Sequence, residues 1–240
     1  MIDVRRAGAR YRGGDAAAGI DTRHAFSFGG HYDPADTRFG LLLACNEERL
    51  APGAGFAEHP HRDTEIVTWV LEGVLEHQDR RDPAGPPVRL GPGGLQRLSA
   101  AGGVRHVERN GGEVPLRFLQ MWLHPDTFGG PPDYAAVPAP APDGPGPHLL
   151  AAAPGAARPA VTLRQRDAAL YLLRGSAALP EAPFVYVHVV RGGMRIGDET
   201  LAAGDAARIS GGGAPRADVV EAAGPAEYLV WEMHAEPSYG

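Results

Sequence analysis

A chain of 240 residues suits one large domain or two of about 100 to 120 residues each. Its formal net charge of −6, with no run of basic residues, disfavours a nucleic-acid or anionic-membrane surface. A single cysteine, Cys45, excludes an internal disulfide and fits a reducing cytoplasm, and nowhere do the 18 apolar residues of a membrane helix run together.

The opening "MIDVRRAGARYRGG" carries charge with no apolar run behind it, so no secretory signal is expected and the cytoplasm is the expected location. The chain holds 33 glycines and 23 prolines, close to a quarter of its residues against about 12% on average. Glycine and proline punctuate strands, so the excess points to a turn-rich all-β protein. "EIVTWVL" (65–71) alternates as a half-buried strand does, and "LRFLQMWL" (116–123) is rich in leucine and aromatics. The Pro/Ala/Gly-rich, nearly uncharged stretch 131–160 reads as a stiffened linker and not a packed element. In "RQRDAALYLLRGSAAL" helix and strand both fit. "FVYVHVV" (184–190), apolar at nearly every position, predicts a strand covered on both faces. The expected organisation is a first domain over residues 1–135, a linker over 136–160 and a second domain over 161–240.

The two halves echo each other. "VLEGVLEH" leads to "LGPGGLQRL" in the first, and "VVRGGMRI" leads to "LAAGDAARI" in the second. Aligned without gaps, the second half places Ala178 and Pro180 opposite His59 and His61, and Ala217 and Val219 opposite His106 and Glu108. Any site therefore lies in the first half.

Residues i and i+2 of a strand point to one face, about 7 Å apart. "HPH" offers two imidazoles, His59 and His61, to one point, and "HVE" offers His106 and Glu108 to another. Two such pairs on facing strands make a site of three nitrogens and a carboxylate, suited to Fe, Mn, Ni, Cu or Zn and not to Ca or Mg. Glu65, four residues past His61, is the rival carboxylate, as ligand or as a supporting acid. His188, inside its apolar strand, reads as a core residue. His77, His24, His31, His124, His148 and His234 show no ligand-spaced partner, and Cys45 reads as a small core residue. "GGGAPR" lacks the Lys-Ser/Thr of a phosphate loop.

These residues resemble the cupin superfamily. Its first motif is met by Gly53, His59, His61, Glu65 and Gly73, with one residue extra before the last glycine. Its second is met by His106 and Asn110, without its earlier proline. "HAFSFGGHYDP", "GFAEHPHRDTEIVTWVLEGVLEHQD", "QRLSAAGGVRHVERN" and "LQMWLHP" more closely resemble the signature blocks of the pirin family, across the first 135 residues and more weakly beyond. The resemblance implies a bicupin, two jelly-roll β-sandwiches in tandem. The first would hold one divalent metal, Fe2+ foremost, on His59, His61, His106 and Glu108, and the second would be without a site. Val107 stands where the family has a small serine, and "SAAGG" replaces the usual "SAGTG" loop.

The resemblance also implies a dioxygenase that oxidises quercetin-like flavonols, small aromatic substrates, with O2. Glu108 or Glu65 would take up the substrate's hydroxyl proton. The competing expectation is a non-enzymatic, metal- or redox-responsive regulator that docks on a protein partner, and a sugar isomerase comes third.

Overall fold

The structure, a computed structural model, describes the chain apart from residues 142–143, 156, 214, 221–223 and 238–240. Among the described residues the only helix is a 3-10 turn at Ala7–Ala9. None is long and apolar enough to cross a membrane.

The first twelve strands are β1 (Ile2–Arg5), β2 (Tyr11–Asp15), β3 (Ile20–His24), β4 (Leu42–Leu50), β5 (Gly55–His61), β6 (Glu65–Glu72), β7 (Leu75–Asp79), β8 (Val88–Leu90), β9 (Leu95–Ser99), β10 (Val104–Asn110), β11 (Leu116–Leu123) and β12 (Asp133–Val137). Ten more follow: β13 (His148–Ala152), β14 (Val161–Thr162), β15 (Ala168–Arg174), β16 (Ala177–Ala178), β17 (Phe184–Arg191), β18 (Gly193–Ile196), β19 (Glu199–Ala202), β20 (Ala206–Ser210), β21 (Arg216–Val219) and β22 (Glu227–Met233).

Each half builds one seven-stranded and one four-stranded sheet. The first half orders them β12-β9-β6-β11-β4-β3-β2 and β5-β10-β7-β8; the second orders them β1-β20-β17-β22-β15-β13-β14 and β16-β21-β18-β19. The cores β9-β6-β11-β4 and β20-β17-β22-β15 follow one plan, as the internal echo predicts. The protein is all-β, two cupin sandwiches in tandem. The edge beyond the shared plan differs: β12 flanks β9 in the first half, while the N-terminal β1 crosses to flank β20 in the second.

Both faces of β6 are buried, which explains its near-continuous apolar run. Val67 and Trp69 join Met121, Leu170, Tyr186 and Trp231 in a core shared by the two halves, so the large sheets cover each other. Trp231 donates its indole N–H to the Met121 sulfur at 3.1 Å. On the opposite face of β6, Val70 packs with Leu75, Leu116 and Phe118, and Ile66 with Leu98 and Val104. Burying each such side chain contributes about 1.5 to 3 kcal/mol.

Two expectations change, and one open reading is settled. The stretch read as a linker contains two paired strands, β12 on β9 and β13 on both β15 and β14. Backbone hydrogen bonds need no particular side chain, so an Ala/Pro-rich composition hides them. The segment read as helix or strand is strand, β15 and β16. The gapless alignment of the halves slips by two after β9. Glu108 faces His77, four residues past Gly73, and it is Ala217 that faces Ile196, four past Gly192. From Leu98 to Glu108 the chain advances ten residues, but from the matching Ile209 to Ala217 only eight. The counterparts of Glu108 and His77 are thus Ala217 and Ile196, both in the apolar core of the second sandwich.

Candidate metal centre

Pairing of β5 with β10 sets His59 directly opposite His106, while His61 faces Val104. A bulge between His106 and Glu108 interrupts the β5 pairing, whereas the β7 pairing runs unbroken and sets Glu108 opposite His77. The alternation of β10, with His106 and Glu108 buried between exposed Arg105 and Arg109, points both side chains into the sandwich.

His59, His61 and His106 converge, with one ring nitrogen from each within 4.8 Å of the others. The Nε2 atoms of His59 and His106 are 3.0 Å apart. His59 donates its Nδ1–H to the Ala57 carbonyl at 2.8 Å, which leaves its Nε2 lone pair free. The His61 Nε2 is buried without a partner. Two nitrogens bound at right angles to one ion, each about 2.1 Å from it, lie about 3.0 Å apart. An orphaned third nitrogen beside such a pair fits a transition-metal ion.

Burial, followed by the neighbouring His59, pushes the His61 pKa down to about 4. Burial lowers that of His106 to about 3, although Glu108 works the other way. Both are therefore neutral at pH 7, the form that binds metal.

Glu108 belongs to a second group, with His106 and His77. Its two oxygens accept separate amide N–H bonds, from Gln96 at 2.7 Å and Gln120 at 2.8 Å. The amides are oriented in turn: the Tyr134 hydroxyl donates to the Gln96 oxygen at 2.9 Å and the Trp122 indole to the Gln120 oxygen at 3.1 Å. Complete burial pushes the Glu108 carboxyl up, but the imidazoles of His77 and His106 and the Gln120 amide outweigh it and hold it at about 2. These contacts hold Glu108 as an anion.

Glu65 does other work. Its carboxylate accepts from the Ser99 hydroxyl at 2.7 Å and from the backbone N–H groups of Arg164 and Gln165 at 2.8 and 2.9 Å. It ties β6 to the start of the second half and stands in neither ligand group.

His77, expected to lack a partner, has one across strands instead of along the chain. Its Nδ1 is 3.3 Å from the His106 Nδ1, and its ring stacks on Tyr134 with centroids 4.3 Å apart. Gln96, Gln120, Trp122 and Tyr134 were also missed, since an isolated glutamine or aromatic on a strand carries no spacing signal. The alternation of "LEHQD" could have found His77, because it puts Leu75 and His77 on the same inward face. Trp122 stands edge-on to His61, centroids 4.9 Å apart, and a cleft of about 450 Å3 opens beside His61 between Pro60, Arg62, Arg80 and Arg105.

Two sandwiches, with a histidine cluster only in the first among the described residues, define a bicupin with a candidate metal centre there. The pirin family model matches residues 5–123, and the model described as the quercetinase C-terminal cupin domain matches residues 150–233. A Mycobacterium tuberculosis protein named "Putative quercetin 2,3-dioxygenase Rv0181c" is 38% identical over 98% of this chain and 96% of its own. The Escherichia coli protein named quercetin 2,3-dioxygenase is 40% identical over 56% of each chain. The crystal structure of the bacterial pirin YhhW from Escherichia coli, in complex with nickel(II), superposes with a TM-score of 0.85 at 28% identity, covering 99% of this chain and 100% of that one. The chain belongs to the pirin family.

Proposed function

We propose that the chain is a metal-dependent dioxygenase that oxidises quercetin-like flavonols with O2. A divalent transition metal, Fe2+ foremost, would be held by His59, His61, His106 and Glu108. The observation that carries this reading is the convergence of three imidazoles, two with nitrogens 3.0 Å apart and the third with a buried, unpartnered nitrogen. The names of the full-length and partial relatives support the reaction class.

When bound, the metal supplies a Lewis acid with open positions for a substrate whose hydroxyl and carbonyl oxygens are adjacent. The rest falls to the protein. His59 is fixed in one tautomer by Ala57, and the Gln96 and Gln120 amides hold Glu108 as a permanent anion whose remaining lone pairs are free to serve as a fourth donor. Trp122 walls His61, and the cleft beside His61 admits a planar aromatic ligand. The arginines around that cleft favour a phenolate over the neutral phenol.

Loading the protein with Fe(II) and following O2-dependent loss of quercetin beside His61→Ala tests the proposal. Turnover in the wild type alone is expected. A fully loaded protein that leaves quercetin untouched would overturn the dioxygenase reading and favour a regulator that works through a protein partner.

A further inference from the structure

We infer that the seam between the two halves carries a second binding site, for a small polyanion bearing phosphate or carboxylate groups. A cleft of about 450 Å3 is bounded there by β2, β3, β4 and β11, by the 3-10 turn, and by Ala203 and Gly204 of the second half. None of its lining residues belongs to the metal centre. Five arginines line it, Arg10, Arg12, Arg23, Arg49 and Arg117, against two acids, Asp21 and Glu47. This concentration of positive charge arises in a chain whose net charge is −6.

Strand register makes the crowding specific. Arg12 lies directly across from Arg23, and Arg49 directly across from Arg117. Like charges opposite each other destabilise a sheet unless something compensates them. Arg117 is compensated by Glu47 at 2.8 Å and Glu72 at 2.7 Å, and Arg23 reaches Asp21 at 3.6 Å. Arg12 and Arg49 form no ion pair among the described residues, although Asp21 stands opposite Arg49 in the sheet.

Arg10 is the independent second sign. It is only 7% exposed, and its Nη2–H donates to the His188 Nδ1 at 2.9 Å. Its Nε and Nη1 are buried without partners. His188 brings no negative charge, and burial, then Arg10 and Arg117, keep it neutral. A buried guanidinium with idle donors and no anion is costly, and an anion in the cleft that Arg10 lines would offset its charge. Guanidinium forks match carboxylate and phosphate oxygens two at a time, and the cleft is of a size that small-molecule sites occupy.

Calorimetric titration of the metal-loaded protein with inorganic phosphate and with succinate, at low and raised NaCl, tests the site. Saturable binding of at least one anion is expected, weakened about tenfold or more in Arg49→Gln and in Arg12→Gln, and weakened by salt. Both side chains are exposed, so the variants keep the fold, and His61→Ala should bind as the wild type does. Tighter phosphate assigns a phosphorylated ligand, and tighter succinate a carboxylate. No saturable binding of either anion, affinity unchanged in both arginine variants, or binding abolished by His61→Ala would each overturn the inference.

Discussion

His106 and His77 meet through their Nδ1 atoms at 3.3 Å, while the other nitrogen of His106 faces His59. Only one of two facing Nδ1 atoms can carry the proton. If the His106 Nε2 is to keep its lone pair for a metal, its Nδ1–H must donate to His77. His77 thereby sets the tautomer and tilt of a proposed ligand without touching the ion. In His77→Phe, which preserves the stack on Tyr134, metal affinity should fall by about 10- to 100-fold with all four proposed ligands intact. A metal-competition titration reads this directly, and unchanged affinity would remove His77 from the centre.

Glu65 is expected to act on stability and not on the centre. Glu65→Ala strips the Arg164 and Gln165 backbone N–H groups of their acceptor and should cost about 3 to 5 kcal/mol in denaturant unfolding. Metal stoichiometry and turnover per folded molecule should stay at wild-type levels. Loss of turnover in folded, fully loaded Glu65→Gln would restore it as a base.

Glu48 gives a pH dependence of definite sign. Burial, only partly offset by the Thr22 hydroxyl, raises its carboxyl to about 7. The folded state therefore holds a proton that the unfolded chain releases near pH 4.5, so the penalty is absent below that pH and grows as pH rises towards 7. Glu48→Gln should stabilise the protein by about 3 kcal/mol at pH 8 and hardly at all at pH 4.5. Equal effects at both pH values in chemical denaturation would contradict this.

Ala101 occupies the left-handed region, φ 44°, and its carbonyl accepts the N–H of Asp63, itself at φ 50°. That bond joins the turn after β5 to the turn before β10, the two strands that carry the histidines. An L-residue with a Cβ pays about 1 to 2 kcal/mol there, partly offset by the greater freedom glycine has when unfolded. Ala101→Gly should raise stability by about 0.5 to 1 kcal/mol, measured by denaturant midpoint. A lower midpoint would mean that the methyl, 7% exposed, contributes more by packing than it costs in strain.

The clustered histidines were legible because the spacing of a strand is legible: His59 and His61, and His106 with Glu108, each sit two apart in the sequence. The main strands followed from apolar runs that the structure buries on both sides. What surrounds Glu108 was not legible. Gln96, Gln120 and Tyr134 come from β9, β11 and β12, and only the folded sheet brings them together. His77 is intermediate, visible as an inward position but not as a partner of His106. β12 and β13 were hidden because alanine and proline mask pairing that the backbone alone supplies. The four-residue β1 is too short to show a period.

That short first strand has a consequence for how the molecule is made. Ile2–Arg5 leaves the ribosome about 200 residues ahead of its pairing partners, Ala206 to Ile209. At about 5 to 20 residues per second, the wait is about 10 to 40 s. Over that interval β1 waits without its partner, and the second sandwich stays open along β20 until β1 returns to close it.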